Sequence, residues 1–364
     1  MLDKTKNIVV TVTFSVLLIL FFLANILKKD TEISTTERRK LESFPQITIK
    51  SVLDGSFSNK FEKYTTDQII KREEFRKLKS NIELNLFRKK DNNKIYMYKN
   101  SLIKIEYPLN EKSVLNVANK INEIQKNYLK DMKCYYSIIP DKNYFTNSKQ
   151  YITMDYKKLE EIMQKNVPNA EYINIFDCLE LEDYYITDIH WKQENLQKVV
   201  DKISEKMNFK NRLTSNFAKE QITEFDGLYA GQLPVKTKKD EIYTLTNETI
   251  KNAKVYHYEN GKETKIYDLE KINSNDKYDI YLSGSTPLIT ITNENSKTNK
   301  ELIVFRDSFA SSLVPLFTEG YSKITLIDIR YIRTKDIEKY IEFKDQEVLF
   351  LYSTLILNNS SVLR

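Results

Sequence analysis

The sequence predicts an α/β protein in which helices cover both faces of a parallel sheet. In its C-terminal part, apolar segments alternate with helical ones: the strands ELIVF, KITLIDI and EVLFLYS are separated by the helices SFASSLVPLFTEG and TKDIEKYIEF. These strands are apolar on both sides, which is typical of parallel strands buried between helices. Ligands of such sheets bind at the carboxyl ends of the strands, so the residues that follow each strand matter most.

The same alternation occurs earlier in the chain. Helical spacing in FEKYTTDQIIKREEFRKLKSNIELNLF and EKSVLNVANKINEIQKNYLKDM precedes the strand KCYYSIIP, the helix MDYKKLEEIMQKN, the strand AEYINIF and the helix ENLQKVVDKISEKM. Between about residues 209 and 295 the pattern changes to short, Tyr-rich and β-branched segments separated by Asn, Asp, Gly and Lys. We therefore predict a β-rich insertion in that range.

An apolar segment near the start of the chain predicts the compartment. Residues 8–27 form a run of twenty without a charge, about 30 Å of helix, which is enough to cross a membrane. A cleaved signal peptide is the alternative, but its apolar region is usually shorter and no small-x-small site follows here. We predict an uncleaved anchor and an extracytoplasmic body, with the following boundaries: tail 1–7, transmembrane anchor 8–27, juxtamembrane linker 28–50 and catalytic domain 51–364.

Composition excludes several classes of function. The net charge of +6 is scattered along the chain, and no basic stretch carries a nucleic-acid recognition motif, so we expect no nucleic-acid partner. The chain has only 6 glycines and no Gly-rich phosphate loop, and we expect no cofactor. Cys134 and Cys178 lack metal-ligand spacing, so we expect no metal site. Buried free thiols and a single disulfide both stay open for them.

The strongest local signal lies in ELIVFRDSFASSLVPLF, residues 301–317. A buried strand is expected to end at Phe305, Asp307 and Ser308 follow at once, and a helix then begins. A serine at such a turn directs its hydroxyl out of the sheet, close to backbone N–H groups that can stabilise an oxyanion. The alternative is a helix N-cap, where Asp and Ser are favoured. Ser308 is therefore a candidate nucleophile.

The motif TDIHW contains a candidate acid–base partner. Asp188 and His190 are two residues apart, so both would project from one side of an extended stretch. The aspartate can then orient the imidazole while the other ring nitrogen accepts a hydroxyl proton. His257, the second histidine, lies in the strand-like KVYHYEN, and we interpret it as structural. A helix-entry histidine with Trp191 in the core is the alternative for His190.

The two motifs together resemble a known family. DIHW at residues 188–191, followed much later by a predicted strand and DSF at 307–309, is similar to the DHHW proteins. These are relatives of the AlgX/AlgJ-type polysaccharide O-acetyltransferases, which have an SGNH-hydrolase-like fold. The segments ERRKLESFPQIT, IIPDKNYF, SGSTPLITITN and LIDIRYI fit the same resemblance, which extends over nearly all of the chain beyond the apolar segment.

The resemblance implies a catalytic triad of Ser308, His190 and Asp188, with the Asp-x-His pair upstream of the serine. Ordinary SGNH hydrolases have the opposite order. The sequence departs from them at Arg306, where they have Gly, and at Ser285, where an oxyanion-hole Asn is expected. The oxyanion candidates are therefore the Ser308 amide with Gly284 or Ser285 opposite, and Arg306 as an electrostatic helper. A turn glycine, a capping serine and a surface salt-bridge arginine are the alternatives.

The resemblance also implies a function. It indicates a membrane-anchored O-acetyltransferase that modifies a polysaccharide outside the cytoplasm, with a multi-spanning membrane-bound O-acyltransferase as the partner that delivers the acetyl group. A carbohydrate acetylesterase would use the same three residues with water as the acceptor. A non-catalytic, glycan-binding subunit of a polysaccharide biosynthesis complex is the third alternative.

Overall fold

The computed structural model describes residues 2–147, 149–209 and 217–364. Within these ranges the chain forms two compact units. The N-terminal unit comprises the residues up to Asn93 together with Gly231–Lys236, and the sheet unit comprises Lys94–Ala230 and Thr237–Arg364. The main division between the two units falls after residue 93.

The N-terminal unit begins with an apolar helix, α1 (Leu2–Leu27), which contains the predicted anchor segment. Within the described part of the chain it is the one helix long and apolar enough to cross a membrane. Its length, composition and position fit either a membrane anchor or a signal sequence.

Short helices and a small hairpin complete this unit. Its further elements are β1 (Ile33–Ser34), β2 (Arg39–Lys40), α2 (Ile49–Leu53), α3 (Ser56–Gln68), α4 (Arg72–Asn81) and a π-helical turn (Ile82–Leu86). The sequence predicts a continuous helical pattern through residues 61–87, but the structure breaks it between α3 and α4. Lys71, directly before α4, has a left-handed backbone (φ 53°), which a continuous helix cannot contain.

The sheet unit is built around a large central sheet. Its strands are β3 (Ile95–Tyr98), β4 (Ser101–Lys104), β5 (Cys134–Ile139), β6 (Glu171–Tyr172), β7 (Ala218–Phe225), β8 (Asp240–Thr246), β9 (Lys254–His257), β10 (Lys262–Thr264), β11 (Leu288–Thr292), β12 (Glu301–Arg306), β13 (Lys323–Ile327) and β14 (Glu347–Ser353). Among the described residues, eight strands pair in the order β10–β9–β11–β13–β12–β14–β5–β6. From β13 to β6 they run parallel, while β11 and β10 pair antiparallel with their neighbours. The predicted α/β fold class is confirmed.

Helices cover both faces of this sheet. The α-helices of this part of the chain are α5 (Glu111–Tyr128), α6 (Tyr156–Asn166), α7 (Gln197–Met207), α8 (Leu228–Gln232), α9 (Glu248–Asn252), α10 (Ala310–Leu313) and α11 (Thr354–Leu357). Leu302 and Val304 of β12 belong to a hydrophobic cluster with α7, whereas Ile303 and Phe305 belong to another with α5 and α6. Because β12 is buried on both faces, its apolar run is continuous, as the sequence prediction assumed.

The predicted β-rich insertion is divided between two sheets. Residues 210–216 lie outside the described part of the chain. β7 and β8 pair with each other, but β9, β10 and β11 extend the central sheet. They do so because apolar residues such as Val255 and Ile289 enter the same core as β12.

Two predicted helices after β12 and β13 are short. SFASSLVPLFTEG forms α10 and a 3-10 turn at Val314–Phe317, and TKDIEKYIEF forms a 3-10 turn at Thr334–Lys339. Pro315 lacks a backbone N–H and cannot continue the hydrogen-bond pattern of α10. The chain therefore turns tightly after Ser308 and does not enter a long helix.

Candidate active site

Ser308 follows the carboxyl end of β12, which lies between the parallel strands β13 and β14. Asp307, directly before it, is buried and accepts hydrogen bonds from the backbone N–H of Phe309 (3.0 Å) and of Ser353 at the end of β14 (2.7 Å). Asp307 thereby fixes the turn to the neighbouring strand. Ser308 itself is half-buried and lies at the carboxyl ends of the strands, where ligands of such folds bind.

Asp188 and His190 lie in a loop whose two ends, Tyr184 and Trp191, form an isolated antiparallel bridge. The prediction of an extended stretch is wrong, because the structure forms a turn here. Oδ1 of Asp188 accepts a hydrogen bond from the backbone N–H of His190 (3.1 Å), a local contact that aspartate favours in turns. The turn, and not strand alternation, brings the two side chains together.

The three candidate side chains form one hydrogen-bonded chain. Oδ1 of Asp188 lies 2.6 Å from Nδ1 of His190, and Nε2 of His190 lies 2.8 Å from Oγ of Ser308. Asp188 and His190 are buried, at 0% and 4% exposure. In the neutral imidazole, a proton on Nδ1 would be donated to the carboxylate, and the lone pair of Nε2 would then face the serine hydroxyl. The geometry is that of a Ser–His–Asp triad.

Aromatic rings hold the plane of the imidazole. Tyr278 stacks on His190 with ring centroids 3.8 Å apart and an angle of 5° between the planes. Phe309 contacts the same imidazole with centroids 4.9 Å apart and tilted by 58°. A stacked ring pair contributes about 0.5–1.5 kcal/mol beyond the area it buries. Tyr278 and Phe309 therefore favour the ring orientation in which Nε2 faces Ser308.

Trp191 lies in the core and links the loop that contains Asp188 and His190 to the segment after Ser308. Its indole N–H donates to the carbonyl of Phe309 and to Oγ of Ser312, both at 3.0 Å. The hydroxyl of Tyr278 lies 2.7 Å from the same Ser312 Oγ. Trp191 is fully buried, so its role is packing and positioning, with no surface for a sugar ring.

A buried carboxylate accepts hydrogen bonds from the backbone just before Asp188. Asp240, the first residue of β8, accepts hydrogen bonds from the backbone N–H groups of Ile186 (2.5 Å) and Thr187 (2.6 Å). It also accepts one from the Thr187 hydroxyl (2.6 Å). Because three donors share one carboxylate, the backbone just before Asp188 is tightly constrained.

A buried ammonium holds the carbonyls of the same loop. Nζ of Lys142, which follows β5, donates to the backbone oxygens of Tyr185 (2.6 Å), Ile186 (3.0 Å) and Asp188 (3.1 Å). Burial lowers the pKa of Lys142 to about 7, although the nearby carboxylates of Asp240 and Asp188 act to raise it. The loop therefore lies between the buried amino group of Lys142 and the buried carboxyl group of Asp240.

Gly227 permits a close approach to Asp188. A Cβ atom at Gly227 would lie 2.4 Å from Cβ of Asp188, so a larger residue would displace the aspartate. The next residue, Leu228, donates its backbone N–H to Oδ2 of Asp188 (2.9 Å). Both oxygens of this carboxylate thus have donors, which fixes its orientation toward His190.

Arg306 is completely buried, so the alternative of a surface salt bridge is wrong. Its Nη1 donates to Oγ of Ser311 (3.0 Å), and its Nη2 donates to the carbonyl of Gly284 and the hydroxyl of Thr286, both at 3.3 Å. Burial lowers the pKa of this guanidinium. Arg306 ties the turn at 284–286 to the segment after Ser308.

The two oxyanion candidates in this turn differ. Gly284 has a left-handed backbone (φ 82°), and a Cβ atom there would lie 2.2 Å from a carboxylate oxygen of Asp279. The N–H of Gly284 donates to the carbonyl of Tyr281 (3.1 Å), so this amide is not directed at Ser308. Gly284 is the turn glycine of the alternative interpretation, and Ser285 is the exposed residue of the same turn.

His257 and the cysteines contribute nothing to this hydrogen-bonded chain. His257 is buried on β9, and its Nε2 lies 2.9 Å from Oγ1 of Thr264 on β10. Cys134 and Cys178 are both free thiols, and burial raises the pKa of each. Among the described residues, no group of three or more His, Cys, Asp and Glu side chains has the geometry of a metal site.

Sequence reasoning missed the residues that support the histidine. Tyr278 is one of 24 tyrosines, and no local pattern distinguishes it. Asp240 lies in a run of charged residues that reads as a solvated surface. A signal did exist for Lys142, because it follows the strand KCYYSIIP and so lies at the same sheet edge as Ser308.

Several solved structures have a fold similar to that of this chain. A DHHW family protein from Eubacterium siraeum aligns with a TM-score of 0.61 at 17% identity, over 75% of this chain and 94% of that one. PatB1 of Bacillus cereus aligns with a TM-score of 0.57 at 18% identity, over 73% and 97%. A second PatB1 structure, with a sulfonyl adduct, gives 0.55 at 18% identity, over 72% and 97%.

No family model matches the chain, and no curated protein matches it. The likeness is therefore one of fold, at identities too low for a shared activity to follow from it. The chain has the fold of a DHHW family protein and of Bacillus cereus PatB1, as the sequence resemblance predicted.

Proposed function

We propose that the protein is an O-acetyltransferase that transfers acetyl groups to a polysaccharide through an acetyl-serine at Ser308. The observation that carries this proposal is the chain of hydrogen bonds from Asp188 through His190 to Ser308, at 2.6 and 2.8 Å. The DHHW-like fold supports it, because the motif and the fold point to the same class of protein.

The proposed reaction has two halves. Oγ of Ser308 attacks the carbonyl carbon of an acetyl ester as its proton passes to Nε2 of His190, and the alcohol of the donor leaves with that proton. A sugar hydroxyl then attacks the acetyl-serine while His190 accepts its proton. That proton returns to Oγ of Ser308 as the acetyl–serine bond breaks. Asp188 stays ionised and stabilises the imidazolium in both halves.

The tetrahedral intermediate needs hydrogen-bond donors for its oxyanion. The backbone N–H of Ser308 is the first candidate, because it belongs to the attacking residue itself. Ser285 is the candidate for the second donor, since its turn is held beside Arg306 and it is exposed. Arg306 adds positive charge close to the turn. Gly284 contributes the left-handed backbone conformation of the turn.

The proposed setting is the outer face of a membrane. α1 would act as a single-pass anchor, with the sheet unit on the extracytoplasmic side. Acetyl-CoA is not available there, so the acetyl group would have to be delivered across the membrane. We propose a multi-spanning membrane-bound O-acyltransferase as that partner and a cell-surface or secreted polysaccharide as the acceptor.

Acetyl transfer to an oligosaccharide tests the proposal. The full chain in detergent is given 4-nitrophenyl acetate as donor and a polysaccharide fragment as acceptor, and mass spectrometry measures the acetylated fragment. We expect product from the wild type and from Thr264→Ala, whose hydroxyl also bonds a histidine, but none from Ser308→Ala. Equal product from the wild type and Ser308→Ala contradicts the proposal.

The same experiment separates the alternatives. Release of acetate without acetylated fragment, lost in Ser308→Ala, identifies an acetylesterase that uses the same residues. A wild type that neither releases acetate nor forms product favours the non-catalytic, glycan-binding subunit. Because PatB1 forms a sulfonyl adduct, a sulfonyl fluoride is a suitable serine-directed reagent here, and modification at a residue other than Ser308 contradicts the assignment.

A further inference from the structure

The N-terminal unit exposes an apolar stripe on one of its helices. Phe75, Leu78, Ile82 and Leu86 recur at spacings of three and four along α4 and its π-helical continuation, so they lie on one face. Each of them is exposed, from 36% for Ile82 to 71% for Leu86. Contiguous large apolar side chains at a surface indicate an interaction site. We call them the apolar stripe.

The other faces of this segment are polar or internal. A second exposed stripe runs beside the first and consists of Glu74, Lys77, Asn81 and Asn85. On the internal face, Arg72 and Arg76 form ion pairs with Glu37, and Ser80 is buried. An exposed surface that is apolar on one side and polar on the other suits the boundary between hydrocarbon and water.

The apolar helix α1 contacts the start of this segment. Phe21 packs edge-on against Phe75 with ring centroids 6.3 Å apart. Asn25 accepts a hydrogen bond from the backbone N–H of Ile70 (2.8 Å), and Nζ of Lys28 donates to the carbonyl of Gln68 (3.3 Å). The turn between α3 and α4 therefore lies against the C-terminal end of α1.

This contact places Phe75 at the depth of the hydrocarbon if α1 spans a membrane. Phe21 lies roughly 9 Å along the helix axis before Leu27, the end of the predicted span. Phe75, in contact with Phe21, would therefore lie that far inside the span. Amphipathic helices that lie in the plane of a bilayer insert their apolar faces about 5–10 Å into the boundary between headgroups and acyl chains.

The charge around the stripe fits a membrane surface. Residues 71–90 carry eight lysines and arginines against three glutamates, but Arg72 and Arg76 are paired with Glu37 on the internal face. The six exposed basic residues are Lys71, Lys77, Lys79, Arg88, Lys89 and Lys90. Basic residues of an amphipathic helix that lies on a membrane are attracted to anionic headgroups. Exposed basic residues thus lie beside the apolar stripe and at both of its ends.

We propose that α4 and its π-helical continuation, Arg72–Leu86, lie in the extracytoplasmic interface of the bilayer, with the apolar stripe among the acyl chains and the exposed lysines, Lys77 and Lys79, at anionic headgroups. This inference rests on the membrane anchoring proposed above. It gives the N-terminal unit a second attachment beside α1, which fixes its orientation relative to the membrane. A protein partner would be the other occupant of the stripe.

Quenching by brominated lipids tests this placement. The full chain is reconstituted in vesicles of phosphatidylcholine and phosphatidylglycerol, with or without bromine on the acyl chains. Leu78→Trp and Leu86→Trp report on the apolar stripe, Lys77→Trp is the matched control on the polar stripe, and Phe14→Trp reports on the span. The native Trp191 is fully buried and provides a constant background.

We expect the emission added by Leu78→Trp and Leu86→Trp to be blue-shifted and to be lost in brominated vesicles, whereas that of Lys77→Trp persists. Quenching of Phe14→Trp without quenching of Leu78→Trp overturns the proposal, and shielding of Leu78→Trp only after a partner protein is added assigns the stripe to that protein. If Phe14→Trp is not quenched, α1 does not span the bilayer, and the proposed interfacial placement of α4 is wrong as well. Acetyl transfer by the same preparations is measured separately, so its failure is distinguishable.

Discussion

The two histidines of this chain make nearly the same hydrogen bond. Nε2 of His190 lies 2.8 Å from the Ser308 hydroxyl, and Nε2 of His257 lies 2.9 Å from the Thr264 hydroxyl. Both imidazoles are buried, at 4% and 5% exposure, and both hydroxyl residues are half-buried. A histidine close to a hydroxyl therefore does not by itself identify a nucleophile.

What differs is the rest of each environment. Nδ1 of His190 faces the carboxylate of Asp188, and Ser308 follows the carboxyl end of a parallel strand. His257 of β9 pairs with Lys262 of the antiparallel β10, and Thr264 lies two residues further along β10. No carboxylate is bonded to this imidazole in the described part of the chain. A carboxylate on the second ring nitrogen and a position at the carboxyl end of a parallel strand therefore distinguish the candidate site from a structural contact.

Replacing either histidine or its hydroxyl partner should give the largest difference in kcat between the two pairs. We expect Ser308→Ala or His190→Ala to lower kcat for acetyl transfer by about a millionfold, the size of loss seen when a triad serine or histidine is removed. Thr264→Ala and His257→Gln are the matched controls and should keep wild-type kcat. Steady-state kinetics with 4-nitrophenyl acetate measure the difference. Comparable losses in both pairs would remove the distinction between them.

Changing the carboxylate alone should give the next largest effect. Asp188→Asn keeps the size of the side chain but favours the wrong imidazole tautomer, so we expect kcat to fall about 10⁴-fold. Since Ser308 and the rest of the fold stay intact, the thermal unfolding temperature should change far less than kcat. Single-turnover acetylation and a melting curve on the same sample check this. A variant with near-normal kcat would show that Asp188 does not orient His190.

The stacked tyrosine should have a smaller effect. Tyr278→Leu removes the ring that lies on His190, and loss of about 0.5–1.5 kcal/mol of stacking corresponds to a reduction in kcat of up to about tenfold. Tyr278→Phe keeps the ring but loses the hydroxyl bonded to Ser312, so its kcat should stay closer to the wild type. KM for the acetyl donor should change little in either variant. Equal losses in both variants would assign the effect to the hydroxyl and not to stacking.

The smallest effect concerns the pH dependence of stability. Burial lowers the pKa of His257 from its ordinary value of 6.5, so the folded protein resists protonation there. As the pH falls below about 6.5, the unfolded chain binds a proton that the folded chain does not, and stability decreases until the lower folded pKa is reached. We expect His257→Gln to lose this part of the acid destabilisation. Urea unfolding at pH 7.5 and at mildly acid pH measures it, and an unchanged pH dependence would argue against a buried neutral imidazole.

Much of the fold followed from local sequence patterns. The strand–helix alternation around Ser308 and the apolar strands predicted a sheet covered on both faces, because burial on both sides leaves a continuous apolar run in each strand. Asp188 could be singled out because it lies two residues before a histidine, and Ser308 because it directly follows a predicted buried strand. The short α10 was less predictable, since Pro315 ends it despite an apolar pattern typical of a longer helix.

The support of the histidine could not be predicted in the same way. Tyr278 reaches His190 from 88 residues further along the chain, and Asp240 reaches Thr187 from 53 residues away. Such contacts depend on how the loops return to the carboxyl ends of the strands. The spacing of apolar residues in the sequence does not predict the path of a loop. Tyrosine and aspartate also have many uses at a protein surface, so their residue types alone carried no signal.

The central claim is that Ser308 carries the acetyl group during turnover. Rapid acid quenching of the full chain with an acetyl donor, followed by peptide mass spectrometry, tests it most directly, and Asp188→Asn or withdrawal of the acceptor should alter the amount trapped. We predict one added acetyl group on the peptide that contains Ser308, absent in Ser308→Ala and retained in Thr264→Ala. Acetylation at another residue, or turnover by Ser308→Ala at the wild-type rate, would contradict the claim.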